Sequence, residues 1–337
     1  MKITRTDQQR FQDEVVLKYT DVIGEKLGGK VLSFSDEFFA KAENLLKPTA
    51  PVRDATRFVH TGAWYDGWET RRHNQEESDW VVIKMGVSSA QLIGAEVDTA
   101  FFNGNHAPFI TVEAAICTDE NIDSAKWDLI IDKQECGPSQ KHFFVRDEIT
   151  ETAYTHVRLK QYPDGGIARF RLYGKVVPIR PSDVNTIIDL ANVNNGGVVQ
   201  AFSDQHFGSA DNLLLPGRGH DMSDGWETKR SRSKGHIDWA VIALGDKTNI
   251  DHIVVDTAHF RGNFPQFIRI EGTYHEGETT PPLDEGWKIV VPQSKTGSDH
   301  EHSYEVQDKK TVFTHVKLVI IPDGGVKRVK VFGRVAQ

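Results

Sequence analysis

A segment about half the length of the chain occurs twice, and this duplication limits the fold more than any other feature. Asp66–Arg72 reads Asp-Gly-Trp-Glu-Thr-Arg-Arg and returns at Asp224–Arg230 as Asp-Gly-Trp-Glu-Thr-Lys-Arg. Tyr162-Pro163-Asp164-Gly165-Gly166 returns as Ile321-Pro322-Asp323-Gly324-Gly325. The register is steady: Trp68 and Trp226 lie 158 positions apart, as do Asp98 and Asp256, while His156 and His315 lie 159 apart. A period this long describes a duplicated domain that buries its own core, not a solenoid of short units. Residues 1–180 are therefore read as a first repeat with an N-terminal extension, 181–197 as a linker in which Thr186–Leu190 forms a short helical turn, and 198–337 as the second repeat.

Matched apolar runs, Trp80–Lys84 and Trp239–Leu244, read as core strands. Ile110 and Val112 alternate with Thr111 and Glu113, and Ile268 and Ile270 with Arg269 and Glu271, which gives strands with one buried and one polar face. Near each repeat end an alternating strand meets Pro-Asp-Gly-Gly and turns back, as a hairpin requires. Helical periodicity is weak. The expected fold class is all-β: two tandem antiparallel jelly-roll β-sandwiches of the discoidin or galactose-binding kind. Phe34-Ser35-Asp36 matches Phe202-Ser203-Asp204 at a longer offset of 168, so the first repeat carries an insertion, placed at Lys47–Arg57.

With 337 residues, 38% hydrophobic and 26% charged, both halves can fold. A net charge of -8 argues against nucleic acid or an anionic membrane as a general partner. No apolar run is long enough for a membrane span or a secretory signal. Cys117 and Cys136 have no counterparts in the second half, so no repeated disulfide framework exists and reduced thiols in a cytoplasmic protein are expected.

The candidate chemistry lies in the repeated polar positions. If the stretch after Trp68 is extended, Glu69 and Arg71 share a side, as do Glu227 and Lys229, and Arg72 and Arg230 add guanidinium groups whose paired donors fit a carboxylate. An anion site and an ion-pair network beside a packed tryptophan are both consistent with this pattern. Asp98 and Asp256 open matched Asp-Thr-Ala-x-Phe-x-Gly-Asn loops; they bind a ligand or hold their own loops, the latter favoured, and Gly104 and Gly262 are read as turn residues. His156 and His315 fall on the polar side of their strands, in line with Arg158 and Lys317, where an imidazole can move protons. Despite 14 histidines there is no His-Glu-x-x-His helix and no Cys-x-x-Cys pair. No metal ligands are assigned, although dispersed side chains leave room for a divalent cation. His73 and His106 occur only in the first repeat and His259 only in the second. Phosphate-loop and serine-nucleophile motifs are lacking.

Taken together, the two Asp-Gly-Trp-Glu-Thr-(Arg/Lys)-Arg motifs, the two Asp-Thr-Ala-x-Phe-x-Gly-Asn loops and the two His-Val-(Arg/Lys)-Leu strands leading to Pro-Asp-Gly-Gly closely resemble the allantoicase family over almost the whole chain. The resemblance implies a hydrolase of purine breakdown that converts allantoate and water into ureidoglycolate and urea. On that reading Glu69, His156, Glu227 and His315 are the acid and base candidates. Arg71, Arg72, Asp98, Lys229, Arg230 and Asp256 are the substrate-binding candidates, and the protein is a cytoplasmic homo-oligomer. The competing classes are a non-catalytic tandem jelly-roll module that binds a carbohydrate or other ligand, and an inactive interaction protein on the same scaffold.

Overall fold

The computed structural model describes residues 2–277 and 279–337, and its chain divides into two compact units, Met1–Val177 and Pro178–Gln337. The first unit is a sandwich of two five-stranded antiparallel sheets. One runs in the order Ile3–Thr6, Lys141–Arg146, Ala90–Asp98, Arg169–Val176, Thr20–Asp21. The other runs Asp128–Glu135, Phe109–Ala115, His156–Tyr162, Asp79–Lys84, Lys30–Phe34. Alternation along these strands turns Val81, Ile83, Leu92, Val97, Ile110, Val112, Val157 and Leu159 into the shared core. The N-terminal extension adds a short helix, Gln8–Phe11, capped by the Asp7 carboxylate, which accepts the Arg10 N–H. It delivers Phe11 and Val15 onto Ile93, Phe143 and Tyr173.

The second unit repeats the jelly roll with one change in continuity. Asp79–Lys84 and Ala90–Asp98 of the first unit are separate strands, whereas their counterpart is the single strand Asp238–Asp256. Its first part pairs with Val312–Ile321 and its last part with Arg328–Val335, and the register breaks between Ala243 and Thr248 where the strand passes from one layer to the other. Within 181–197, Ile188–Asp189 pairs with Phe332 and Gly333. The helical turn expected at Thr186–Leu190 is therefore replaced in part by this two-residue strand, because the edge of Arg328–Val335 offers hydrogen bonds that an isolated turn lacks. The connection also carries a 3₁₀ turn, Val193–Asn195.

Both Trp-Glu pairs lie at the loop end of their sandwich. Trp68–Glu69 pairs with Gly166–Ile167 and Trp226–Glu227 with Gly325–Val326. Trp68 and Trp226 are fully buried, and their indole N–H groups donate at 2.8 Å to the carbonyls of Asp36 and Asp204. Gly165 and Gly324 have φ of 151° and 133°, which the Pro-Asp-Gly-Gly hairpin needs. In the Asp-Thr-Ala loops the left-handed residues are Phe101 and His259, with φ of 70° and 69°; Gly104 and Gly262 have open space where a Cβ would stand and are not the turning points expected of them. Among the described residues no helix is long and apolar enough to cross a membrane.

Candidate active site

The strand carrying Glu69 ends at Glu69 itself, and this decides which of the basic residues beside it is its neighbour. Thr70 is buried, and its hydroxyl accepts the Gly165 N–H and the Gln161 side-chain amide, both at 3.2 Å. Arg71 then swings outward to Asp36, 2.8 Å away, instead of sharing a side with Glu69. Arg72 is the cation whose field reaches Glu69. Its Nη1 donates to Asp164 Oδ1 at 2.8 Å, and its Nη2 is buried without a hydrogen-bond partner. The Asp164 carboxylate also accepts the Asn74 N–H at 3.1 Å, so the hairpin carries one wall of the site as well as the turn.

Glu69 is buried, and its Oε1 accepts a hydrogen bond from Asn105 Nδ2 at 2.6 Å. Burial pushes its carboxyl pKa above the ordinary value, opposed by the Asn105 bond and by Arg72. A carboxyl group raised in this way keeps its proton to higher pH than a free one, which suits it to giving a proton up in a reaction. Asn105 escaped notice as a functional residue because it lies 36 positions from Glu69; the one signal was that the Gly-Asn ending recurs at Gly262-Asn263. His106 follows it, with Nδ1 buried and unpartnered. Outside Arg72 an open cleft of about 730 Å³ is walled by Asp36, Arg71, His73, Trp80 and Lys160.

The second unit keeps the same pair: Asn263 Nδ2 donates to Glu227 Oε1. Thr228 again accepts the N–H of the hairpin glycine, Gly324, at 3.2 Å. Lys229 uses its backbone N–H on Asp204, at 2.7 Å, and is exposed, as is Arg230.

Asp98 and Asp256 brace their own loops, accepting the backbone N–H groups of Ala100 and Ala258 at 2.8 and 2.9 Å. Asp256, fully buried, is in addition gripped by Arg218.

His156 and His315 do not join either glutamate. Each begins a run of seven residues that leads to its hairpin turn, which places it about 20 Å along the strand from the loop end. Both rings are buried. His156 lies 2.8 Å from the Thr155 hydroxyl and 3.1 Å from Asp119 Oδ1. His315 lies 2.8 Å from the Thr314 hydroxyl, and its Nε2 donates to Gln200 Oε1 at 3.1 Å. The polar face was assigned correctly, since Arg158 beside His156 reaches out to Glu113 and Lys317 beside His315 to Glu271. At the histidines, however, that face meets Asp119 at His156, and Gln200 and His275 at His315. Glu113 and Glu271 are consumed by these ladders of charge. Burial and the facing His275 lower the His315 pKa to about 4.

Among the described residues no three His, Cys, Asp or Glu side chains are grouped to hold a metal ion. Around Glu69 the structure places a hydrogen bond from Asn105, the Arg72 guanidinium and a buried carboxyl group. Both cysteines are free.

The repeat described as "Allantoicase repeat" matches twice, over residues 20–177 and 188–336. An allantoicase of Saccharomyces cerevisiae is 62% identical over 336 residues, covering 97% of this chain and 98% of that protein. An allantoicase of Neurospora crassa is 56% identical over 321 residues, covering 93% and 91%. A crystal structure of allantoicase from Saccharomyces cerevisiae superposes with a TM-score of 0.87 at 56% identity, covering 98% of this chain and all of that one. With both repeats matched in order and the whole sandwich pair reproduced, the chain belongs to the allantoicase family.

Proposed function

We propose that this protein hydrolyses allantoate to ureidoglycolate and urea, with Glu69 as the proton-transferring group and Arg72 as the substrate's carboxylate anchor. Membership of the allantoicase family supports the reaction. The observation that carries the site is the buried Glu69 carboxyl, raised above its ordinary pKa and fixed by Asn105, in the field of an arginine that retains an unpartnered Nη2.

Allantoate bears a carboxylate and two ureido groups on one carbon. In its acid form Glu69 gives a proton to one ureido nitrogen as the bond from that nitrogen to the central carbon breaks. The lone pair of the remaining ureido nitrogen forms a C=N bond, and neutral urea departs. Water then adds to the central carbon, one of its protons passes to the Glu69 carboxylate, and the C=N electrons return to nitrogen. Glu69 is thereby restored to its acid form, and ureidoglycolate is left. Asn105 holds the carboxyl in one orientation through both steps, which is the part of catalysis that positioning supplies.

The same reading makes the protein a cytoplasmic homo-oligomer. Two free cysteines accord with a reducing compartment, and exposed Phe58 and Ile289 supply apolar surface for self-association.

The experiment is urea release from allantoate by the purified chain, run with and without a chelator and with added divalent cation. Release of urea with formation of ureidoglycolate is the expected result. No release under any of these conditions overturns the assignment and leaves a binding module on the same scaffold.

A further inference from the structure

The loops of the second repeat line an open cavity of about 590 Å³ that is not a copy of the first site. Glu227 keeps its asparagine, but its surroundings have changed. Asp164 is bonded to Arg72 at 2.8 Å, whereas its counterpart Asp323 accepts the backbone N–H of Ser231 at 2.8 Å. Arg230 consequently has no ion pair among the described residues and stands exposed on the cavity wall with its charge unmatched. Phe264 occupies the position of His106, and Gln266 adds an amide to the lining. Glu227 is only half-buried, where Glu69 is buried.

The chemistry of these groups is specific about what it suits. A guanidinium presents two parallel N–H donors to a carboxylate. A carboxylate presents two oxygens, and a ureido group offers it two parallel N–H donors in return. Asn263 occupies only part of the acceptor capacity of Glu227. A free arginine and a pinned, partly open glutamate in one cavity therefore complement a small molecule that carries both a carboxylate and a ureido group. A simple anion would satisfy Arg230 and leave Glu227 unused. A neutral urea would do the reverse.

We propose that the second-repeat cavity is a binding site for a small ureido carboxylic acid, occupied in addition to the site at Glu69, so that each chain holds two such molecules. For the ligand class this rests on the reaction proposed above; for the second site it rests on the cavity and its unpaired arginine.

Calorimetric titration with ureidoacetate tests it. This probe has the carboxylate and one ureido group but no second nitrogen on the central carbon, so the protein cannot consume it. The expected result is two equivalents per wild-type chain. Arg230→Ala then loses one of them, with affinity at that site weakened at least about tenfold, the equivalent of about 1.4 kcal/mol. Arg72→Ala loses the other. A single equivalent in the wild type overturns the proposal, as does an Arg230→Ala variant that still binds two with unchanged affinity. The count is independent of turnover, so failure to release urea from allantoate sinks the catalytic reading and leaves the second site standing.

Discussion

Arg218 grips Asp256 through two hydrogen bonds, 2.7 Å from Nε to Oδ2 and 2.8 Å from Nη2 to Oδ1, and among the described residues no arginine bonds Asp98 in this way in the first repeat. The position aligned with Arg218 is His60, which is exposed. The insertion at Lys47–Arg57 serves a different aspartate: Lys47 Nζ and the Val52 N–H both reach Asp66, and Arg169 donates to it at 2.6 Å. Burial alone would raise Asp256, but the Arg218 bonds and the Ala258 N–H outweigh it and its pKa lies below the ordinary value. Arg218→Ala strips a fully buried carboxylate of its charged partner. It is expected to destabilise the second unit by about 1–3 kcal/mol, read as a lower urea midpoint. An unchanged midpoint would show that solvent replaces the arginine at no cost.

Asp98 is shifted the other way. Burial raises its pKa, with the Ala100 N–H and Lys141 opposing. A carboxyl with a raised folded pKa costs stability above that pKa and ceases to cost it as the pH falls through it; Asp256, depressed, stabilises at neutral pH and loses its contribution as acid protonates it. At pH 7 Asp98→Asn is therefore expected to leave stability unchanged or raised, whereas Asp256→Asn lowers it. Equal losses from the two substitutions would refute the asymmetry.

Glu69→Gln keeps the Asn105 contact region polar but removes the proton. Turnover of allantoate should drop about 10² to 10⁴-fold while the circular dichroism spectrum is retained. Near-normal turnover would remove Glu69 from the chemistry.

Asn105→Ala acts on the same group through its pKa. The Asn105 bond favours the ionised form, so its loss raises the Glu69 pKa further. If Glu69 works as the acid, activity declines as the pH rises through that pKa, and the alkaline limb of kcat should move to higher pH in the variant. A limb that stays in place while kcat falls would indicate that Asn105 only shapes the loop.

His315 is buried and its pKa is depressed to about 4 from the ordinary imidazole value of 6.5. The unfolded chain takes up a proton below about pH 6.5 that the folded chain refuses until about pH 4, so stability falls across that window, by about 3 kcal/mol in total. His315→Gln should flatten this acid dependence without abolishing urea release. Loss of turnover with an unchanged stability profile would return the imidazole to the mechanism.

The duplication, the antiparallel pairing and both hairpins were legible in the sequence, because strand alternation and the Pro-Asp-Gly-Gly signal are local. Repetition also singled out Glu69 and Arg72 as candidates, and the structure brings the two near each other. The Asn105 and Asn263 contacts were not, since each spans 36 positions and is set by how two loops meet. Alternation along a strand reports a face and not a position along it. His156 and Arg158 share a face, yet one is buried and bonded to Asp119 and the other is 25% exposed in its side chain. The strand at Ile188–Asp189 was missed because two residues carry no period of their own.

The separation of each sandwich into a sealed histidine end and an open loop end has a consequence for how such a molecule can change. His156 and His315 are tied to Thr155, Asp119, Thr314 and Gln200. Alterations there break hydrogen bonds of buried rings and are expected to act first on folding. The loops at the other end hang from Trp68 and Trp226, which stay anchored whatever the tips become. A laboratory selection for activity on a different ureido acid would accumulate its replacements at the tips, and would do so independently in the two repeats.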